Sequence, residues 1–409
     1  MAEYPVRGQA APNYWDLMLK AYIDEGDTST ALTREELALA DYAALMPFWA
    51  RLATRTARLV NIGQLGPSIT EGAFVASFDR TPSQLLARTL RARYPTPGVT
   101  GGGRGYIGVP STAMTGSGNY TPGMWPLAFT GGTIDPVDPA ASVFDLGAKH
   151  AVWYANGSGK VVDTLANPVT SFDIRHIAGP AGSVNGGYYK IDGGASVPVD
   201  TFAATAVERI THVALPASST IEVGWGGTGY IIFDGIVEYA GDENAGLQVH
   251  NFGHSGFKCS DFAADPTVDG SWRTAIASFN LDLLILSDLG INDASNGVTS
   301  SQFKTALMAL IAVLRAGSIS CPIVLAANYD VTSAPGVVLA SPWPQYVTAM
   351  REIADADATI VFVDHSARMP ATAAASTYGL YHADKIHPAA GGGANQYMQE
   401  TVAVAIAPR

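Results

Sequence analysis

Cysteine is scarce. The 409 residues hold two, Cys259 and Cys321, 62 positions apart. That excludes a disulfide framework and a Cys-x-x-Cys zinc pair. Charge is scarce too: Asp, Glu, Lys and Arg make up 15 % of the chain, against 47 % hydrophobic residues. Such a balance excludes a disordered chain, which needs little apolar surface and much charge. No block of like charges occurs, and the formal net charge is −12. A basic face for nucleic acid is therefore not expected, and the acidic surface serves solubility. No stretch approaches 18 consecutive apolar residues, so no membrane-spanning helix is expected. The opening MAEYPVRGQAAPNYWD lacks the basic-then-apolar pattern of a signal peptide. Synthesis in a cytoplasm is expected, with later release by a route such as lysis left open. The run Gly101-Gly102-Gly103-Arg104-Gly105 lacks the Lys-Ser/Thr ending of a phosphate loop and reads as a flexible hinge. His382 and His387 lie five apart, but no Cys or carboxylate cluster completes a metal site around them. No cofactor is expected.

What is present falls into three textures, and a length of 409 residues is enough for two or three domains at roughly 150 each. Residues 1–56 read as a helical segment. Trp15, Met18, Leu19, Tyr22 and Ile23 lie on one helix face. Thr33 and Glu36 form a capping box, Leu37, Ala40, Ala44 and Leu45 continue the stripe, and Pro47 should kink or end it. A short strand follows at 57–64, then a helix at 83–93. From 98 to 245 the chain is rich in Gly, Thr, Ser and aromatics. Short β-prone runs such as Ala151–Tyr154, Ser171–His176, Tyr188–Ile191, Ile210–Ala214, Ile221–Trp225 and Tyr230–Phe233 predict an antiparallel β-sandwich. Its aromatics, Trp125, Trp153, Tyr154, Tyr188, Tyr189 and Trp225, fit either a sandwich core or a sugar-stacking platform. From 246 the α/β alternation resumes: strands at Gly246–His250, Leu281–Ser287, Ile323–Ala326 and Ile360–Val363, and helices around Phe303–Leu314, Tyr346–Ile353 and 393–406. Residues 57–97 and 246–409 thus predict one discontinuous α/β domain, a doubly wound parallel sheet interrupted by the β-rich insertion.

Four short segments carry the candidate chemistry. Gly66-Pro67-Ser68-Ile69-Thr70-Glu71-Gly72 follows the first strand and puts a hydroxyl at a strand-to-helix turn. Asn251-Phe252-Gly253-His254-Ser255-Gly256 can turn a backbone N–H into a site at Gly256, with His254 a candidate for lining the pocket. Gly290-Ile291-Asn292-Asp293 ends the most apolar strand, where the Asn292 amide can meet a developing oxyanion. In Asp384-Lys385-Ile386-His387-Pro388 the carboxylate can fix the imidazole tautomer and leave Nε2 as a base. Taken singly, each also has an ordinary reading: a helix N-cap, two turns and a solvated pair.

In this order, the four segments resemble blocks I, II, III and V of the SGNH (GDSL-type) hydrolase family. The resemblance implies a flavodoxin-like sheet and an ester hydrolase. Its triad would be Ser68, His387 and Asp384, and its oxyanion hole the N–H of Ser68, the N–H of Gly256 and the Asn292 side chain. Two departures stand out: Pro67 replaces the usual Asp beside the nucleophile, and 188 residues separate Ser68 from Gly256, so the β-rich part must be inserted there. Family analogy favours acetyl removal from an O-acetylated carbohydrate, with the inserted part binding carbohydrate or shaping the cleft. The segments Tyr14-Trp15-Asp16-Leu17 and Tyr22-Ile23-Asp24 resemble the starts of phage tail-associated proteins, which implies a virion component acting on a host cell envelope. The alternatives are a glycan-binding tail or adhesin protein with a decayed esterase core, and a lipase or arylesterase of the same fold. A homo-oligomer is left open.

Overall fold

The computed structural model describes residues 39–97, 103–110, 124–135, 151–155, 159–264, 272–332, 334, 336–367, 369, 379–391 and 393–406. The stripe at 15–23, the Thr33/Glu36 box and the segments at 14–24 lie outside them. All of the described residues belong to one unit, Leu39–Arg409. It opens with α1 (Leu39–Ala53), β1 (Leu59–Gly66), the one-turn α2 (Ser68–Glu71) and α3 (Pro82–Arg93). Among the described residues nine strands follow: β2 (Gly105–Gly108), β3 (Leu127–Thr130), β4 (Thr133–Asp135), β5 (Ala151–Ala155), β6 (Lys160–Ala178), β7 (Gly187–Ile191), β8 (Val197–Val199), β9 (Val207–Trp225) and β10 (Tyr230–Tyr239). Then come β11 (Gly246–Gly253), α4 (Cys259–Ala263), α5 (Trp272–Ala277), β12 (Leu283–Ser287) and α6 (Ile291–Ser295). The chain continues through α7 (Ser300–Ala316), β13 (Ile323–Ala327), α8 (Trp343–Ala356), β14 (Ile360–Asp364) and α9 (Gly393–Ile406).

Five strands form a parallel sheet in the order β11-β1-β12-β13-β14. Their residues are almost all buried, as a sheet covered on both faces requires. Alternate positions on one face (Val60, Ile62, Leu283, Ile285, Val324, Ala326, Val361, Val363) pack with Leu45, Phe48 and Leu52 of α1, Leu86 and Leu90 of α3, and Val402 and Ile406 of α9. That buried stripe carries α1 through Pro47 to Ala53, so Pro47 does not end the helix. Its apolar contacts offset the cost of an interior proline, about 3 kcal/mol for the missing hydrogen bond and the ring's clash with the preceding turn together. Helix α7 starts at a Thr299/Gln302 capping box, with each side chain engaging the other residue's N–H. Counted within this sheet the order is 2-1-3-4-5. In an open sheet of that order, ligands bind beyond the carboxyl ends of the strands where the order reverses, here between β1 and β12.

The other nine strands share one hydrogen-bonded antiparallel sheet, β4-β5-β10-β6-β9-β7-β8, with β2 also on β10 and β3 also on β6. Two separate sheets were expected. The 19-residue strands β6 and β9 explain the difference: they pair along nearly their whole length, with register shifts between Thr164 and Ser171. Each carries turn-like residues mid-strand (Asn167-Pro168; Pro216 onward), so Ile210–Ala214 and Ile221–Trp225 read as separate strands but are one. The hinge expected at 101–105 is, over its described part, packed structure. A Cβ on Gly103 would lie 1.8 Å from the Glu238 carbonyl oxygen. The Arg104 guanidinium is buried against Glu238 (Nε to Oε2 2.9 Å) and Asp163 (3.1 Å).

Candidate active site

All four chemical segments meet at the carboxyl edge of the parallel sheet. Strand β1 ends at Gly66, and Ser68 opens α2, where a first-turn N–H has no acceptor within the helix. The Ser68 hydroxyl lies 2.7 Å from His387 Nε2. His387 Nδ1 lies 2.7 Å from Asp384 Oδ2. A tight bend with Lys385 at φ +55° brings the last two together. Asp384 Oδ1 accepts the backbone N–H groups of Ile386 (3.0 Å) and His387 (3.1 Å). Partial burial pushes the Asp384 carboxyl upward, but the His387 hydrogen bond and charge, with the two N–H donors, outweigh it. The carboxyl is held well below the usual carboxylate range. An ionised acceptor on Nδ1 leaves Nε2 to take the serine proton.

The glycine-turn segment is tied to the Ser68 turn. The His254 N–H donates to the Gly66 carbonyl (2.8 Å), and the Ser255 N–H to Glu71 Oε2 (2.7 Å). A Cβ on Gly253 would sit 2.2 Å from the Glu71 nitrogen, so only glycine permits this approach. Gly256 is exposed, with φ +87°, a conformation glycine adopts without strain. Asn292, half-buried on α6, donates from Nδ2 to the Phe257 carbonyl (2.9 Å). Among the described residues its second amide hydrogen has no hydrogen-bond partner. Its neighbour Asp293 accepts the Cys259 N–H at 3.2 Å and anchors the same loop. His254 is buried, its ring stacked on Phe257 at 4.8 Å, so it packs the loop.

Several contributors carried no notice in the sequence reading. The Thr70 hydroxyl donates to Asp288 Oδ2 (2.6 Å). Burial pushes the Asp288 carboxyl up to about 6, against the opposing pull of the Thr70 bond and of nearby His387. Phe74 stacks on His382 (3.8 Å between centroids) and tilts against His387 (4.9 Å). The Tyr329 hydroxyl donates to the Ile386 carbonyl (2.5 Å), bracing the bend beneath the imidazole. Thr70, Glu71 and Asp288 stand within or beside the quoted segments. Phe74 and Tyr329 are lone aromatics in loops, with no pattern to flag them.

This geometry was compared with known proteins. A model of the GDSL-like lipase/acylhydrolase family matches residues 218–394. No curated protein sequence matches the chain significantly. A solved structure described as a peptidoglycan O-acetylesterase in action superposes with a TM-score of 0.63 at 16 % identity, covering 89 % of this chain and 96 % of that one. The fold is that of an SGNH hydrolase. The parallel sheet and the added antiparallel one fall together within that single superposition. Two family two carbohydrate esterases also match. The one from Cellvibrio japonicus does so at 10 % identity over 69 % of this chain and 95 % of its own, TM-score 0.30. The one from Corynascus thermopiles, with a carbohydrate binding domain, does so at 14 % over 69 % and 98 %, TM-score 0.33.

Proposed function

We propose that the chain is a serine esterase that removes acetyl groups from an O-acetylated glycan through an acyl-enzyme. The observation that carries the reading is the chain of two 2.7 Å contacts from Ser68 Oγ through the His387 ring to Asp384. In this mechanism His387 takes the Ser68 proton as the hydroxyl oxygen attacks the ester carbonyl. The oxyanion meets the N–H of Ser68, the N–H of Gly256 and the Asn292 amide, where one such donor is worth roughly 3 kcal/mol. The protonated imidazole then gives its proton to the departing alcohol. Water, activated by the same ring, releases acetate and frees Ser68. Pro67 leaves this set intact: it lies beside the nucleophile, and its carbonyl accepts the Glu71 N–H (3.0 Å).

The choice of glycan rests on the likeness to a peptidoglycan O-acetylesterase, which makes O-acetylated peptidoglycan the first substrate to try. The division into a doubly wound, flavodoxin-like part (57–97 and 246–409) and an inserted part (98–245) belongs to the same reading and is supported by the strand order. The virion setting is carried by the sequence segments at 14–24 alone. No described helix is long and apolar enough to cross a membrane.

The experiment is acetate release from O-acetylated peptidoglycan, run beside hydrolysis of an aryl acetate and an aryl octanoate. Wild type is expected to release acetate and to prefer the acetyl ester. Ser68→Ala is expected to fall to background on both acetyl substrates and to lose labelling by a fluorophosphonate. Wild-type-like turnover by Ser68→Ala would remove the mechanism, and preference for the octanoyl ester would remove deacetylation.

A further inference from the structure

The antiparallel sheet holds a second candidate site. At one end of β6, β7 and β9 lies a cleft of about 780 Å³, within the roughly 300–1,000 Å³ of small-molecule sites. Lys160, Tyr188, Lys190, Glu222 and Trp225 line it, beside the exposed backbone of Gly226. None of these residues belongs to the Ser68–His387–Asp384 set. They form a built arrangement. Glu222 takes three donors: Lys160 Nζ on Oε2 (2.7 Å), and the Tyr188 hydroxyl (2.7 Å) and Lys190 Nζ (3.1 Å) on Oε1. Partial burial pushes the Glu222 carboxyl upward, but those donors bring it down to about 2. It is therefore ionised, and two ammonium groups share one carboxylate. The cleft keeps a local excess of one positive charge in a chain whose net charge is −12. Each ammonium has three N–H donors and gives one to Glu222. Two half-buried rings stand beside them. The Trp225 indole is fixed by its N–H on the Gly229 carbonyl (3.1 Å), and Lys190 Nζ lies 4.9 Å from the Tyr188 ring centre.

We infer that this cleft binds a carboxylate-bearing sugar unit. The apolar face of the saccharide lies on Trp225 and Tyr188, its hydroxyls reach the Glu222 oxygens, and its carboxylate meets the free N–H groups of Lys160 and Lys190. A neutral glycan would use the rings and leave the excess charge unanswered. A flexible polyanion would answer the charge and make little use of the rings. This assignment rests on the esterase reading only for its choice of glycan: peptidoglycan alternates N-acetylglucosamine with N-acetylmuramic acid, whose lactyl group bears a free carboxylate on strands stripped of their stem peptide. The cleft then holds the glycan strand while the serine centre works on an ester.

The test is titration calorimetry of the full chain with two unacetylated disaccharides: N-acetylglucosaminyl-N-acetylmuramic acid with its free carboxylate, and neutral chitobiose. Neither carries an O-acetyl ester, so binding is read without turnover and does not depend on Ser68 being a nucleophile. The acidic disaccharide is expected to bind at least fivefold more tightly than chitobiose and to weaken in 0.5 M salt. Trp225→Ala is expected to weaken it at least tenfold, and Lys190→Gln severalfold. Lys190→Gln keeps the inference testable should Trp225→Ala fail to unfold cooperatively. Equal affinity for the two disaccharides, no binding of either, or unchanged affinity in Lys190→Gln would overturn it.

Discussion

Asp288 stands at the carboxyl end of β12 with φ +61°, buried, its carboxylate on the Thr70 hydroxyl. A non-glycine residue in that conformation is uncommon, and Asp and Asn tolerate it best. Its carboxyl titrates near 6 in the fold and near 4 in an unfolded chain. A carboxyl raised by folding gives stability that is fully present below about pH 4 and lost as pH rises through about 6. Asp288→Asn keeps the acceptor for Thr70 and abolishes the titration. The variant should therefore gain stability relative to wild type between pH 4 and 6.5, then hold a constant difference. Urea midpoints across that range check it; a difference that does not grow with pH would refute it. Asp384 has the opposite sign. Its depressed pKa contributes stability above about pH 4 that is lost as pH falls through the folded value. At neutral pH it is ionised, so Asp384→Asn should act through the tautomer of His387. The expected loss is roughly 10³–10⁴-fold in kcat on an aryl acetate with KM little changed, read by steady-state kinetics.

Elements set these residues in place, and one contact between elements is decisive. The end of β11 passes the Ser68 turn so closely that a Cβ on Gly253 would fall 2.2 Å from the Glu71 nitrogen and 2.8 Å from the Thr70 carbonyl carbon. Gly253→Ala should force β11 and α2 apart, at about 1–3 kcal/mol of stability, and lower turnover by moving the Gly256 turn relative to Ser68. Denaturation midpoints and aryl acetate kinetics on the same preparation check both. The elements most legible from sequence are those with one dominant period. The run Leu281–Ser287 gave β12, Phe303-Leu307-Leu310-Leu314 gave α7, and 393–406 gave α9 over the residues observed. Ser68 could be singled out because it stands in a short segment at a strand end, and Asp384 and His387 because they stand three apart in a short bend before the last helix. Phe74 and Tyr329 could not, because their contacts with His387 and Ile386 span hundreds or tens of residues and leave no local trace. The long strands β6 and β9 were missed for the reverse reason. The local turn signals at Pro168 and Pro216 fall where the register shifts between Thr164 and Ser171, and the ladder resumes on either side, so each strand runs on past them.

The whole molecule depends on how its two sheets are joined. Val75 and Phe78, from the segment between Ser68 and α3, belong to one apolar cluster with Ile107, Trp125, Phe172, Val223 and Ile236 of the antiparallel part. Polar contacts cross the same boundary. The Tyr106 N–H donates to His250 Nδ1 (3.1 Å), and Arg175 lies 4.0 Å from the Phe279 ring centre. Burial, then nearby Arg175 and Arg91, lower the His250 pKa to about 3. The ring is therefore neutral and accepts at Nδ1, which leaves Nε2–H to donate to Asn61 Oδ1 (3.2 Å). At the centre, buried Arg104 joins Glu238 and Asp163. Removing one member of a buried ion pair strands the other, at a cost of about 3–5 kcal/mol. Arg104→Met leaves two buried carboxylates facing each other without the guanidinium. It should lower stability by that order and unfold both sheets together, since they share the cluster around Phe78. The tryptophans lie in both parts (Trp49, Trp272 and Trp343 on helices of the α/β part), so pulsed hydrogen exchange of the β6 and β9 amides reports the antiparallel sheet, and residual aryl acetate turnover reports the serine centre. The two denaturation curves should coincide in wild type and shift together in Arg104→Met. Loss of amide protection in β6 and β9 well before the loss of turnover would mean that the antiparallel sheet unfolds on its own and that the shared cluster does not couple the two.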